Sequence, residues 1–97
     1  MSAKNSLVLD FGMYLDKVEN RLNTVVENGD DNELFIASYF HGHFSLAARQ
    51  VNPEHPDPYY ALDVILTDNL REAFVNGELT EPDQALVWAL WDGCKTN

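Results

Sequence analysis

Asp30-Asp31-Asn32-Glu33-Leu34-Phe35-Ile36-Ala37-Ser38-Tyr39-Phe40-His41-Gly42-His43-Phe44-Ser45-Leu46-Ala47-Ala48-Arg49-Gln50-Val51 is the stretch whose reading decides the fold. It holds four of the nine Phe and Tyr residues and two of the three histidines, so aromatic mass and titratable nitrogen are concentrated in one place. On a wheel at ~100° per residue, Ile36, Ala37, Phe40, Phe44, Ala47, Ala48 and Val51 share one broad arc, and Phe35, Tyr39 and Leu46 form a second arc beside it. Only Ser38, Gly42, Ser45 and Arg49 remain as a small or polar face. A helix apolar on so much of its circumference must touch several neighbours at once, which places it at the centre of a helical globule. Asp30, with Glu33 three residues on, has the spacing of a capping box and fixes the start of this helix, expected over 31–51.

Working outward, the segment before it repeats Leu7, Phe11, Tyr14, Val18, Leu22 and Val25 at spacings of three and four, with Val8, Leu15 and Val26 widening the stripe. An amphipathic helix over about 6–28 follows, capped at Asn5 or Ser6 and closed by Asn28-Gly29 through a left-handed residue, with Leu9 and Met13 on its polar side. After the central helix, Asn52-Pro53-Glu54-His55-Pro56 has two prolines and no periodicity, the mark of a loop. Asp57-Pro58 opens a third helix, about 58–76, whose core stripe is Tyr59, Leu62, Ile65, Leu66, Leu70, Ala73 and Phe74 and whose end is Asn76-Gly77. Thr80, Pro82 and Asp83 open a fourth over about 81–93, with Leu86, Val87, Leu90 and Trp91 inward and a tail from Cys94 to Asn97 expected to fray. Nothing alternates with the period of a strand. The expected architecture is all-α: a single four-helix bundle-like domain over 1–97, mostly antiparallel because the connections are short.

The charge balance narrows function. Sixteen Asp and Glu against six Lys and Arg give a formal −10, a field that repels phosphate backbones and anionic lipid, so neither nucleic acid nor membrane is expected as a partner. Asp10 interrupts Leu7-Val8-Leu9 far short of a signal core or a membrane span. A lone cysteine, Cys94, forms no internal disulfide, which suits the cytoplasm. Many of the carboxylates have a structural use, because Asp30, Asp31, Glu33, Asp57, Glu81 and Asp83 sit at helix starts where they complement the dipole.

His41-Gly42-His43 invites a metal, but two residues apart on a helix is roughly 200° of rotation, so the two rings cannot grip one ion. Each falls at one border of the main apolar arc. No His-x-x-x-His or Glu-x-x-His pair exists, and no metal or cofactor is expected. Binding at His43 would require carboxylates from other helices, such as Asp63; a small-ligand or metal site built there is the alternative function. No nucleophile elbow, phosphate cradle or paired buried carboxylate occurs, so no catalytic residue is named and no enzyme is expected.

Apolar residues on faces that should be wet are more informative. Trp88 falls among Glu81, Gln84, Asp92 and Lys95, exposed or held at an edge, while Tyr60, Val64 and Val75 share the outward side of the third helix with Arg71. An aromatic patch on an acidic surface has the character of a protein-binding site. Trp88, Tyr60, Val64 and Arg71 are therefore the expected contact residues of a protein-protein interaction module for a basic or amphipathic segment of another protein, with self-association through the same face as a variant.

Two stretches carry a resemblance. Asp-Asp-Asn-Glu-Leu-Phe-Ile-Ala-Ser-Tyr-Phe-His-Gly-His-Phe-Ser-Leu-Ala at 30–47, and Gly-Glu-Leu-Thr-Glu-Pro-Asp-Gln-Ala-Leu-Val at 77–87 with Trp91 beyond it, resemble the YfcL family of small bacterial proteins. They cover a little over a third of the chain. The resemblance implies a compact helical cytoplasmic protein of proteobacterial type, places His43 rather than His41 in the matching Gly-His pair, and carries over no activity, cofactor or partner.

Overall fold

A computed structural model describes residues 3–52 and 54–95, and side chains from residue 10 onward except at 53. Four helices follow one another: α1 (Ala3–Asn28), α2 (Asp31–Gln50), α3 (Pro58–Val75) and α4 (Glu81–Lys95), with no strand among the described residues. The expected inward contributions of Leu7 and Val8, the outward placement of Leu9, and the roles of Pro53, Thr96 and Asn97 lie outside the described residues.

Local signals account for most of the boundaries. The Asp30 carboxylate accepts from Glu33 N–H at 2.8 Å while Asp30 N–H donates to Glu33 Oε1 at 3.2 Å, so the capping box is complete in both directions. Asp57 caps α3 by accepting from Tyr60 N–H at 3.1 Å, with Pro58 in the first turn. Thr80 Oγ1 accepts from Asp83 N–H at a longer 3.4 Å. At the end of α3, Gly77 N–H reaches Phe74 O and Glu78 N–H reaches Ala73 O, the pair of bonds of a Schellman motif, with Gly77 at φ 80°.

Three boundary expectations are corrected. The helical backbone of α1 already begins at Ala3, so Asn5 and Ser6 lie within the helix and not at its start. Gly29 has no positive φ; it is small because the chain turns tightly there, its N–H 2.7 Å from Val25 O and Glu33 folded close over it. The last helix runs through Lys95, and Cys94 is buried in the core instead of fraying.

The helices alternate in direction, and α2 is the one against which each of the other three packs most closely. Its main arc supplies the centre: Ile36, Ala37, Phe40, Phe44 and Ala47 are buried. Around them close Val18 and Leu22 of α1, Leu62, Leu66 and Leu70 of α3, and Val87 and Trp91 of α4. Each such side chain contributes roughly 1.5–3 kcal/mol by leaving water, and the largest of them converge where the Trp91 ring meets Phe40 at 5.7 Å and Phe44 at 6.1 Å. The second arc of α2 is shallower: Phe35 and Leu46 are exposed and Tyr39 is partly buried. Tyr59 and Leu86, expected inward, are also exposed, although Tyr59 packs edge-on against Phe11 and Tyr14. Among the described residues no helix is long and apolar enough to cross a membrane.

Candidate functional site: the groove between α3 and α4

Because α3 and α4 run antiparallel and each packs chiefly on α2, their outer flanks leave an open groove of about 680 Å³. Its α3 wall is Asp63, Thr67, Arg71, Phe74 and Val75, residues that recur at three and four along one side of that helix. Its α4 wall includes Trp88, Trp91 and Lys95 by the same periodicity.

Two features hold the walls in register. At one end, Trp91 Nε1–H donates to Asp63 Oδ1 at 2.7 Å, so the buried indole of the core has its only polar atom satisfied by a carboxylate at the groove floor. Lys95 Nζ stands 3.6 Å from that same oxygen and 3.5 Å from Asp92, and lies 5.5 Å from the centroid of the Trp91 ring. These pairs are partly solvated, and what they fix is geometry more than stability. In the middle, Trp88 meets Phe74 edge-to-face, with centroids 5.5 Å apart and planes at 86°. Thr67 Oγ1–H is turned back to Asp63 O within its own helix, at 2.7 Å, and offers the groove little.

Trp88 is thus at an edge: partly buried on Phe74, with the rest of the ring lining the groove. Arg71 lines the same groove, and its guanidinium enters no ion pair among the described residues. Tyr60 and Val64 do not line it. They are exposed, Tyr60 to 66%, and belong with Arg71 and Val75 to one stripe on the outer side of α3 that forms the lip of the groove. Of the four expected contact residues, the fold therefore brings two together in a concavity and sets two beside it. Phe74, Trp91 and Asp63 were assigned by the wheel to the core or to other roles; their place in the groove depends on α4 lying across α3.

The histidines separate as their spacing requires. His41 faces α1, its Nε2 3.4 Å from Glu19. His43 lies on the α3 side, its ring tilted at 45° to that of Tyr39 with centroids 4.8 Å apart, in a hollow shared with Glu72 and Glu78. Asp63 is not one of its neighbours, since that carboxylate is engaged by Trp91 and Lys95 in the other groove, and the proposed His43–Asp63 combination does not form. No group of three or more His, Cys, Asp and Glu side chains suited to a metal ion occurs among the described residues. Tyr39 also donates its hydroxyl to Glu78 Oε1 at 2.8 Å; burial and this bond push its pKa up to about 12. Burial likewise raises the Cys94 thiol, against the nearby Arg21 charge that lowers it, so the one thiol is a packing group.

The comparisons with known proteins give a family and assign no chemistry to it. The chain is 31% identical over 71 residues to the uncharacterized protein YfcL of Escherichia coli (strain K12), covering 73% of this chain and 77% of that one. No solved structure matches it. The family described as YfcL protein matches residues 12–96, from within α1 to beyond the end of α4, and on that match the chain belongs to the YfcL family.

Proposed function

We propose that the chain is a non-catalytic, cytoplasmic protein-interaction module whose α3–α4 groove receives a basic or amphipathic segment of another protein. The observation that carries this reading is the groove itself, where Trp88 and Phe74 present aromatic surface in a concavity bordered by exposed Tyr60, Val64 and Val75. Partly solvated aromatic anchors in a concavity are where truncation costs binding most. The formal −10 of the whole chain supports the sign of the partner, since a basic segment is drawn in and anionic surfaces are turned away. The lone, unpaired cysteine supports a reducing compartment.

The test is affinity capture from native lysate with the wild type, Trp88→Ala, Phe74→Ala and, as a remote control, Met13→Ala on the exposed face of α1. A partner retained by wild type and Met13→Ala but lost by the two groove variants, each verified as helical by circular dichroism, is the expected result. Equal recovery of every partner by all four proteins sinks the assignment.

A further inference from the structure

The second apolar arc of α2 lies on the other flank of α3 from the groove, and it stays partly open. Phe35, Tyr39, His43 and Leu46 follow one another at spacings of four, four and three, which sets them in one stripe about 16 Å long. Phe35 is 48% and Leu46 54% exposed, with Tyr39 and His43 half-buried between them. Ring contacts make the stripe continuous, since the Tyr39 centroid lies 6.3 Å from Phe35 and 4.8 Å from His43. Tyr39 also meets Phe74 at 6.5 Å, and through Phe74 the aromatic surface runs on to Trp88.

Beside this stripe, at the junction of α2 with α3, is a hollow of about 340 Å³ walled in part by His43, Leu46, Glu72 and Glu78. Neither carboxylate has a cation of the described residues within ion-pair distance. The bond that Glu78 Oε1 accepts from the Tyr39 hydroxyl comes from a neutral donor, so it orients the carboxylate and leaves its charge uncompensated. Arg71, next to Glu72 in the chain, lines the groove on the opposite flank of α3, and Arg49 of α2 is not in the wall of the hollow. Scattered exposed hydrophobes are ordinary, but a row of four with two uncompensated carboxylates alongside is a surface of defined chemistry.

The carboxylates call for a cation, and the flat rings select which one. An ammonium is a compact, strongly hydrated point charge. A guanidinium is planar and weakly hydrated, so it can stack on a ring while its N–H edge donates to a carboxylate in the same plane. Tyr39, with Glu78 held 2.8 Å from its hydroxyl, offers the ring face and the carboxylate together. We propose that the α2 stripe is an arginine-reading surface: an arginine of another protein lies on the Tyr39 and His43 rings and pairs with Glu78 and Glu72, while apolar residues next to it cover Phe35 or Leu46. For the class and sign of the partner this rests on the interaction reading above; the residue read, and the surface that reads it, are additional. A second copy of this chain is the poorer occupant, because it would bring its own formal −10 against the same carboxylates.

The experiment is a titration of the ¹⁵N-labelled chain with two blocked tripeptides, acetyl-Leu-Arg-Leu-amide and acetyl-Leu-Lys-Leu-amide, at ~20 mM NaCl, following backbone amide shifts. It is repeated on Phe35→Ala, Trp88→Ala and Glu78→Gln, the last of which keeps an acceptor for the Tyr39 hydroxyl and removes only the charge. The arginine peptide should shift the amides of Tyr39, His43, Leu46 and Glu78 and bind about threefold or more tightly than the lysine peptide. Glu78→Gln and Phe35→Ala should each weaken it by about threefold, and Trp88→Ala should leave it unchanged. Equal affinity for the two peptides, indifference to both Glu78→Gln and Phe35→Ala, or no shift along the stripe up to about 10 mM arginine peptide overturns the proposal. Such a result beside Trp88-dependent capture removes the stripe and keeps the groove; arginine selectivity without Trp88-dependent capture does the reverse. Movement of the same amides on simple dilution of the free chain gives the stripe to a second copy and overturns it as well.

Discussion

Gly29, just before the central helix, and Gly42, within it, differ in what a methyl group would meet. A Cβ on Gly29 would stand 2.7 Å from Val25 O and 2.8 Å from Glu33 Cβ, one of them backbone and the other the residue that completes the capping box. A Cβ on Gly42 would meet nothing within 4 Å. Gly29→Ala should therefore cost about 1–3 kcal/mol by overpacking, whereas Gly42→Ala should stabilise by up to about 1 kcal/mol through helix propensity, both read from urea unfolding. Loss of stability in Gly42→Ala would mean that the outer face of α2 is occupied in solution. Tyr39 gives a second residue-scale test. Its folded pKa of about 12 lies above the ordinary 10.0, chiefly through burial and then through its bond to Glu78. A raised folded pKa means that the proton is held more tightly in the native state, so the contribution is fully present below pH 10 and is lost as pH rises through 12. Tyr39→Phe removes that titration, and its stability relative to wild type should improve between pH 10 and 12; parallel pH profiles would show that neither burial nor the Glu78 bond raises the Tyr39 pKa in solution.

The elements follow from the sequence to different depths. Asp30→Ala should cost about 1 kcal/mol, since it removes a 2.8 Å cap and half of a reciprocal pair. Thr80→Ala should cost less, because its bond to Asp83 is 3.4 Å. Equal shifts in the urea midpoint would show that bond length is a poor guide to these caps. Such caps were legible because they are local, three residues wide and carried by one or two side chains. The centrality of α2 was legible for a related reason: an arc of Ile36, Phe40, Phe44 and Ala47 with further aromatics beside it has no stable place but the middle. The family resemblance reached the same fold through 30–47 and 77–91, and the family match extends it over 12–96. What one helix's wheel cannot contain is the neighbour. Trp88 falls among polar residues on the wheel of α4, and only the approach of α3 supplies Phe74 to shelter one edge of it. Asp63 read as a surface carboxylate available to His43; its bond to Trp91 needs two helices in register 28 residues apart in sequence. Tyr59 and Leu86 fell on apolar stripes wider than the surface α2 could cover, and they remain exposed.

For the molecule as a whole, charge is the variable left to decide. Sixteen acidic residues face six basic ones. Attractive pairs among the described residues are few: His41 with Glu19, and Lys95 with Asp63 and Asp92, all on side chains at least 36% exposed. Exposed pairs of this kind are worth about 0–1 kcal/mol each, while repulsion among the remaining carboxylates acts over the whole surface. Screening therefore removes more repulsion than attraction. Raising NaCl from ~10 mM to ~500 mM at pH 7 shortens the Debye length from about 30 Å to below 8 Å and should raise Tm by several degrees, on the scale of about 4–8 °C per kcal/mol for a domain of this size. Chloride is the appropriate anion, because sulfate would stabilise burial by exclusion whatever the charge. The same salt series should act in the opposite direction on association, slowing capture of a basic segment as steering is screened. A Tm that falls with NaCl would mean that the ion pairs outweigh the repulsion. A partner on-rate that ignores NaCl would separate the groove from the field of the rest of the chain and leave its selectivity to Trp88, Phe74 and Arg71 alone.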